Sequence, residues 1–311
     1  MSLQRALALA AEADGRAYPK PTIGAVVVAD GTVVGEGATE VDGRHGEVVA
    51  LAAAGERARG ATLYVTMEPC AHHGTTPPCV DAVLAVGIAR VVAGSLDPNP
   101  EAGGGLERLR EQGVETELAD SFAARRQNEA WRTWAALGRP FVTYKAAITL
   151  DGRVSVPGER WVSGEESRRR VHELRAASDA VAVGMGTVRL ENPRLDARDV
   201  GAQRQPRRLA FGRGPLPEGS ELELRTGPLE DELRALGAEG VQSLLLEGGP
   251  TLARAFLEAG LVDKLLLFVA PKLSGDGPFV LPGLGGPLEL SHLTSGQVGE
   301  DVLLEAYLRE P

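Results

Sequence analysis

The feature that most constrains the fold is an alternation of short apolar runs with longer helical segments. In the first part of the chain, five runs have the length and composition of strands: residues 23–30, 32–39, 61–67, 90–95 and 114–119. Asp30-Gly31 separates the first two runs and favours a tight hairpin turn. Three segments have the length and composition of helices: residues 46–60, 79–87 and 105–113. The alternation predicts an α/β sheet with helices packed against it.

A break at Gly138-Arg139-Pro140 ends a long helical segment over residues 123–138. We place a domain boundary there, between residues 1–138 and 139–311. The second part again mixes helices and strands. Its helices are expected at about 165–176 and at 251–260. Its strands are expected at 141–150, 179–184, 242–249, 262–270 and 302–308. The chain is therefore expected to form two α/β domains.

Charge and hydropathy narrow the function classes. The 311 residues include 43 acidic and 33 basic side chains, giving a net charge of −10. That balance argues against a surface built to bind nucleic acid or anionic lipid. No apolar run reaches the length of a membrane span. The N-terminus is expected to form an amphipathic helix from Ser2 to Gly15 rather than a signal peptide. With two cysteines and no disulfide framework, a cytoplasmic protein is expected.

One set of residues has the composition of a zinc site. His45 stands at the start of a predicted helix, Cys70 follows a predicted strand, and Cys79 begins another helix. One imidazole and two thiolates leave a fourth zinc position open for water, whose pKa the metal lowers. Glu47, two residues after the histidine, is free to carry protons, as in zinc deaminases. The sequence therefore predicts one Zn²⁺ per chain and hydrolytic deamination.

Three other interpretations stay open at this stage. Cys70 and Cys79 can form a disulfide, or His72 or His73 can complete a closed structural zinc site. The third is a zinc-stabilised nucleic-acid-binding module, against which the acidic balance counts. The spacing is also unusual, because eight residues separate the two cysteines where zinc deaminases usually have two.

The long spacing between Cys70 and Cys79 is part of a resemblance to a known family. The stretch EPCAHHGTTPPC (68–79), with HGE at 45–47, PTIGAVVV at 21–28 and DPNP at 97–100, resembles the bifunctional riboflavin-biosynthesis deaminase/reductase family. The resemblance implies a cytidine-deaminase-like first domain. His45, Cys70 and Cys79 would hold zinc and Glu47 would move the proton. The implied substrate is a diaminopyrimidinone that carries a ribosyl phosphate.

The first domain departs from that family's pattern at three positions. Lys20 stands where the family commonly has Asn, Gly46 where it often has Ala, and Ala71 where it usually has Ser. Lys20 matters most, because a cation would replace an amide that contacts the substrate. The alternative for Lys20 is a solvated loop side chain.

The resemblance continues into residues 139–311, through KAAITLDGR (145–153) and the segments 174–195 and 244–275. It implies a domain similar to dihydrofolate reductase, with NADPH as the hydride donor. Catalysis would involve Lys145 and Glu247. The implied substrate-binding residues are Arg175, Leu195, Arg198 and Glu247. The implied cofactor-binding residues are Ala147, Trp161, Thr187, Glu191, Gly249, Pro250, Thr251, Leu252 and Ala253.

The residues themselves support part of this assignment. Gly248-Gly249-Pro250-Thr251 is typical of a helix start, with proline at the first position and free N–H groups for a phosphate. A plain strand-to-helix turn is the alternative. Departures at Gly158–Trp161, Glu191 and Phe211-Gly212 leave open a degenerate reductase domain that serves binding or dimerisation. The expected partner is a small phosphorylated pyrimidine, not nucleic acid or membrane, and the chain is expected to form a homo-oligomer (dimer or tetramer).

Overall fold

A computed structural model describes residues 2–13, 15, 18–74 and 77–311 of the chain. The chain divides into two compact units, Met1–Leu137 and Gly138–Glu310. The division falls one residue before the position that the sequence suggests. Thr75 and Thr76 of the long cysteine spacing lie outside the described residues.

The first unit is built on a five-stranded sheet with the strand order β2-β1-β3-β4-β5. Its strands are β1 (Gly24–Ala29), β2 (Thr32–Ala38), β3 (Thr62–Val65), β4 (Arg90–Ala93) and β5 (Glu115–Leu118). Strands β1 and β2 form the predicted antiparallel hairpin. Its turn residues Asp30 and Gly31 have φ of 48° and 73°, as a primed turn requires. Strands β3, β4 and β5 run parallel to one another.

Helices cover this sheet and bury a core of Ala, Val and Leu side chains. They are α1 (Ser2–Glu12), α2 (Gly46–Ala54), α3 (Cys79–Val86), α4 (Gly105–Glu111), α5 (Phe122–Gln127) and α6 (Glu129–Leu137). A short 3₁₀ helix, Gly55–Ala58, follows α2. The predicted start of α1 is confirmed, but α1 ends before the expected Gly15, and residues 14, 16 and 17 lie outside the described residues.

The prediction of one long helix over 123–138 is wrong, because Asn128 separates α5 from α6. The Asn128 amide pairs with the backbone of Thr22: Oδ1 accepts from the Thr22 N–H at 2.9 Å, and Nδ2 donates to the Thr22 carbonyl at 3.0 Å. Such side-chain pairing with backbone competes with helix formation.

The second unit is built on an eight-stranded sheet with the order β12-β13-β11-β6-β10-β7-β8-β9. Its strands are β6 (Phe141–Thr149), β7 (Ala180–Gly184), β8 (Arg207–Phe211), β9 (Glu223–Arg225), β10 (Ser243–Leu246), β11 (Lys264–Ala270), β12 (Ser291–Val298) and β13 (Asp301–Tyr307). The helices are α7 (Glu165–Ala177), α8 (Met185–Glu191), α9 (Leu229–Ala238) and α10 (Pro250–Glu258). The sequence analysis missed β8, β9, β12, α8 and α9.

The order of the parallel strands positions the second site. Strands β11, β6, β10, β7, β8 and β9 are parallel, so their carboxyl ends lie at one edge of the sheet. Helix α8 begins directly after β7, and α10 begins shortly after β10. Loops at this edge of an open parallel sheet are the usual place for a ligand. Among the described residues, no helix is long and apolar enough to cross a membrane.

Candidate active sites

The three predicted zinc ligands meet in the first unit. His45 is the N-cap residue of α2, Cys79 is the first residue of α3, and Cys70 lies in the loop after β3. His45 Nδ1 lies 3.2 Å from Cys79 Sγ and 3.6 Å from Cys70 Sγ. The three potential ligand atoms all lie within 4.8 Å of one another. This spacing suits a single metal ion between them.

The donor set has the electrostatics of a cation site. A hydrogen bond with Cys79 lowers the pKa of the Cys70 thiol to about 4. The same hydrogen bond, together with burial, raises the pKa of the Cys79 thiol. Two crowded sulfurs therefore cannot both ionise unless a positive charge joins them. A Zn²⁺ ion supplies that charge, so the residues fit the metal.

The closed and disulfide alternatives find no support in the geometry. Both cysteines are free thiols. Among the described residues, the cluster of potential metal ligands consists of His45, Cys70 and Cys79 and does not include His72 or His73. One coordination position thus stays open, as hydrolytic chemistry requires.

Glu47 lies in the first turn of α2, next to this donor set. Its side chain is buried, with 2% of the residue exposed, and burial raises its pKa. Oε2 has no hydrogen-bond partner among the described residues. A buried carboxyl oxygen without a partner is costly unless a ligand or water satisfies it. This placement suits a group that exchanges a proton with a bound substrate.

A residue that the sequence analysis did not single out positions the Cys70 loop. Glu68 is buried and accepts two backbone hydrogen bonds, Oε1 from the Asp97 N–H at 3.0 Å and Oε2 from the Leu106 N–H at 3.2 Å. It therefore links the segment before Cys70 to the 97–100 loop and to the start of α4. The available signal was an acidic residue at a predicted strand end, directly before Pro69-Cys70.

The departures at Lys20 and Ala71 also lie around this site. The charge of Lys20 acts on His45, and its Nζ lies 3.3 Å from where a Cβ on Gly43 would stand. The Lys20 side chain therefore lies near the predicted zinc ligand His45. The Ala71 carbonyl accepts a hydrogen bond from Arg108 on α4 at 3.2 Å.

In the second unit, Lys145, Arg175 and Glu247 form one charged cluster. Arg175 donates from Nε to Glu247 Oε1 at 2.6 Å and from Nη2 to Oε2 at 3.0 Å. Lys145 Nζ lies 3.3 Å from Oε2. Burial alone would raise the pKa of Glu247, but the charges of Lys145 and Arg175 outweigh it and hold that pKa at about 2. Glu247 is therefore a carboxylate at neutral pH.

Arg175 and Arg198, the two residues predicted to bind the substrate phosphate, differ in their hydrogen-bond partners and in their exposure. The third nitrogen of Arg175, Nη1, donates to the Asp196 carbonyl at 3.2 Å, so its polar atoms already have protein partners. Arg198 pairs with the Asp196 carboxylate at 2.6 Å and is half exposed. It borders a cavity of about 550 Å³ between α7 and the 198–199 segment, lined by Glu165, Glu166, Arg168, Arg169, His172, Arg198 and Asp199.

Most of the predicted cofactor-binding residues lie at the start of α10, on α8 or on β6, whereas Trp161 and Glu191 are exposed. Gly249 caps α10, which continues through Pro250, Thr251, Leu252 and Ala253, and a Cβ on Gly249 would stand 3.7 Å from Thr187 Oγ1 on α8. Ala147 lies on β6, two residues from Lys145. Trp161 is 49% exposed and contacts the guanidinium groups of Arg160 and Arg168. Glu191 is exposed at the end of α8, and Leu195 is buried.

Comparisons with known proteins cover both units. Residues 2–95 match the family model of the cytidine and deoxycytidylate deaminase zinc-binding region, and residues 140–304 match that of the RibD C-terminal domain. The riboflavin biosynthesis protein RibD of Mycobacterium tuberculosis is 39% identical, over 99% of this chain and 98% of that protein. RibD of Aquifex aeolicus is also 39% identical, over 88% of this chain and 87% of that protein.

Two solved structures are similar to this chain over nearly its full length. RibD of Acinetobacter baumannii superposes with a TM-score of 0.84 at 32% identity, covering 98% of this chain and 97% of that one. A diaminohydroxyphosphoribosylaminopyrimidine deaminase/5-amino-6-(5-phosphoribosylamino)uracil reductase from Thermotoga maritima superposes with a TM-score of 0.81 at 33% identity, covering 98% of this chain and 97% of that chain.

Fold, donor set and matches together define a zinc-dependent deaminase fused to a reductase. The expected pairing of a cytidine-deaminase-like and a dihydrofolate-reductase-like α/β unit is confirmed. The chain belongs to the RibD family of bifunctional riboflavin-biosynthesis enzymes. These matches do not favour a degenerate reductase half or a nucleic-acid-binding module.

Proposed function

We propose that Met1–Leu137 deaminates a diaminopyrimidinone carrying a ribosyl phosphate, and that Gly138–Glu310 then reduces the ribosyl group to a ribityl chain with NADPH. The observation that carries this proposal is the open His45–Cys70–Cys79 donor set beside the buried Glu47. The Thermotoga maritima relative is named for both reactions. The second reaction uses the product of the first, since the amino group leaves before the sugar is reduced.

In the deamination, His45, Cys70 and Cys79 would hold Zn²⁺, which when bound supplies an activated water at neutral pH. Glu47 moves protons: Oε2 accepts one from the attacking water and returns it to the departing amine. The buried, raised-pKa environment of Glu47 lets the same carboxyl group serve in both states. The ammonia leaves and a carbonyl remains on the ring.

When bound, NADPH would supply the hydride that reduction at C1′ of the opened sugar or its imine requires. Glu247 does not donate the accompanying proton, because Lys145 and Arg175 keep it ionised. Its carboxylate instead holds the Lys145 ammonium at 3.3 Å. We assign proton delivery to Lys145 Nζ, which belongs to the strand that also carries Ala147. The Gly249–Thr251 helix start offers free N–H groups to a cofactor phosphate.

The substrate phosphate is assigned to the cavity that Arg198 and His172 line. Arg198 keeps part of its guanidinium exposed there, whereas Arg175 serves mainly to orient Glu247. Leu195, buried beside this segment, would contact the sugar or base. The net charge of −10 supports small free substrates over nucleic acid, and we expect a homo-oligomer acting in the cytoplasm.

The proposal is tested by supplying the purified zinc-loaded protein with the diaminopyrimidinone ribosyl phosphate, with and without NADPH. Mass spectrometry should find the deaminated ribosyl compound alone without NADPH, and the ribityl compound with it. Absorbance at 340 nm should fall only after deamination. An unchanged substrate contradicts the first assignment. Deamination without NADPH consumption contradicts the second.

A further inference from the structure

One face of α6 contacts two loops of the first unit. Asn128, the residue before α6, pairs with the Thr22 backbone of one loop. Arg132 stands four residues further along, on the same face of the helix. It donates from Nη1 to the Leu96 carbonyl at 2.7 Å and to Ser95 Oγ at 3.3 Å. The Arg132 side chain is therefore held against the loop that follows β4.

The loop after β4 borders the zinc-ligand residues. The Ser95 carbonyl accepts the Glu68 N–H at 2.8 Å, and Glu68 lies two residues before Cys70. Asp97, in the same loop, is within electrostatic reach of both the donor set and α6. Burial raises the pKa of Asp97, the Cys70 sulfur raises it further, and the Arg132 guanidinium lowers it. Arg132 is thus a cation beside the loop that borders the deaminase site.

One edge of the Arg132 guanidinium group has no protein partner. Its Nε is buried and forms no hydrogen bond within the part of the chain that the structure describes, and its bonds to the loop use Nη1 alone. The Nε–Nη2 edge of an arginine can bind an oxyanion through two parallel hydrogen bonds. Arg175 binds Glu247 in this way, and Arg5 binds Glu36. A buried N–H group without an acceptor costs free energy, which a bound oxyanion would recover.

Arg132 also differs from the other arginines that have a buried Nε without a hydrogen bond. Arg90 and Arg153 each form an ion pair, with Glu117 and with Asp151. Among the described residues, no carboxylate forms an ion pair with Arg132. Burial lowers the pKa of Arg132, yet an arginine stays protonated in proteins. A buried cation without a carboxylate partner suits an anionic ligand.

We infer that the Nε–Nη2 edge of Arg132 binds the phosphate of the ribosyl phosphate substrate during deamination. This inference rests on the proposed deamination and adds to it the residue that selects phosphorylated over unphosphorylated substrates. The phosphate is the anionic group of that substrate. Because the reacting ring lies at the open zinc position beside Glu47, the sugar phosphate extends away from the metal, towards the 95–97 loop and Arg132. The planar guanidinium fork matches two phosphate oxygens at once.

Deamination kinetics of the full-length zinc-loaded protein, without NADPH, test this inference. The two substrates are the diaminopyrimidinone ribosyl phosphate and the same compound without its phosphate. Arg132→Gln should raise the KM of the phosphorylated substrate by about ten- to a hundredfold and leave kcat/KM of the unphosphorylated one unchanged. Arg132→Lys keeps the charge but not the fork, so its rise in KM should be smaller. Arg110→Gln, at an exposed arginine in the last turn of α4, is the matched control and should change neither value.

Several outcomes would overturn the inference. If Arg132→Gln slows deamination of both substrates by the same factor, Arg132 only supports the 95–97 loop, and the proposed deamination still stands. An unchanged KM of the phosphorylated substrate places the phosphate elsewhere. A wild-type protein with equal kcat/KM for both substrates also contradicts the inference. Zinc content and thermal unfolding check each variant, and if Arg132→Gln loses zinc or unfolds, the two KM values of Arg132→Lys decide in the same way. If the wild-type protein deaminates neither substrate, the proposed function fails together with the inference.

Discussion

Glu47 and Glu247 are two buried carboxyl groups whose surroundings move their pKa values in opposite directions. Around Glu47, burial dominates and raises the pKa. Around Glu247, Lys145 and Arg175 outweigh burial and hold the pKa at about 2. Opposed shifts of this kind separate a proton-transferring group from a permanently charged one. The first carboxyl therefore suits proton transfer, and the second suits the fixing of cations.

Glu47→Gln tests the first role. The amide keeps the size of the side chain but can neither accept nor return a proton, so deamination should fall by about 10²- to 10⁴-fold. Zinc content, measured by elemental analysis, should stay at one per chain, and NADPH oxidation with the deaminated substrate should be unaffected. Glu56→Gln, on the 3₁₀ helix after α2, is the matched control and should deaminate normally. Near-normal deamination by Glu47→Gln would assign the proton to another group.

Glu247 should also make stability depend on pH. Its pKa is about 2 in the folded protein and near 4.5 when unfolded, so its ionisation stabilises the fold fully above about pH 4.5. That contribution is lost as the pH falls towards 2. Glu247→Gln should therefore lower the free energy of unfolding by on the order of 3 kcal/mol at pH 7, with a shrinking difference from wild type below pH 4.5. Urea unfolding at pH 7, 4 and 3 measures it. A difference that does not depend on pH would contradict the depressed pKa.

At the scale of secondary-structure elements, the first turn of α4 holds the Cys70 loop. Gly105 approaches so closely that a Cβ there would stand 1.7 Å from the Pro69 carbonyl oxygen. The neighbouring Leu106 N–H donates to Glu68. The start of α4 thus fixes the position of the segment that carries Cys70. A displacement of α4 should therefore also displace Cys70.

Gly105→Ala should force α4 away from the Cys70 loop. We expect a loss of about 1–3 kcal/mol in the free energy of unfolding, as for other overpacked sites, and weaker zinc retention under chelator challenge. Gly186→Ala on α8 is the matched control, because a methyl group there meets nothing within 4 Å. Zinc release and thermal unfolding measure the two variants. Equal behaviour of both would show that the loop moves freely from α4.

The elements differ in how far the sequence predicts them. The β1–β2 hairpin is marked by the turn dipeptide Asp30-Gly31, and α10 is marked by Pro250 at its start and Gly260 shortly after its end. Strand β12 has no such signal: most of its residues are exposed, and it exists because it pairs with β13. The break at Asn128 depends on Thr22, more than a hundred residues away. Long-range partners of this kind are invisible in a local pattern.

The candidate sites follow the same division. His45, Cys70, Cys79 and Glu47 could be predicted as a candidate site, because one imidazole, two thiolates and a carboxylate two residues after the histidine are the residue types of a zinc deaminase. The engagement of Arg175 with Glu247, rather than with solvent, depends on α7 packing beside the end of β10 and required the structure. The positioning role of Glu68 could not be predicted from the sequence, because Glu68 accepts backbone hydrogen bonds from two segments that are distant in the chain.

At the scale of the whole molecule, each unit has its own hydrophobic core. One cluster of buried side chains lies wholly within the first unit, and two others lie within the second. The ion pair between Arg139 and Asp263 is buried inside the second unit, where Asp263 also accepts the Val142 N–H at 2.8 Å. Gly138 belongs there as well, because a Cβ on Gly237 would stand 2.1 Å from the Gly138 carbonyl oxygen. A cut after Leu137 therefore severs none of these contacts.

A fragment ending at Leu137 should fold alone, bind one zinc and deaminate the substrate, because its core, its metal ligands and Glu47 all belong to it. The complementary fragment, from Gly138 onward, should reduce the deaminated compound with NADPH without needing zinc. Circular dichroism, elemental analysis and the two activity assays measure this, and a fragment cut after Val142 is the control. That cut leaves Arg139 and Val142 in the first fragment. The buried Asp263 carboxylate of the second fragment then loses these two close partners and keeps Arg309 Nη1 at 3.8 Å, so the second fragment should be destabilised by several kcal/mol. If the Leu137 fragment is insoluble or free of metal, the first unit depends on the second for folding, and the proposed division of the two activities must be tested in the intact chain alone.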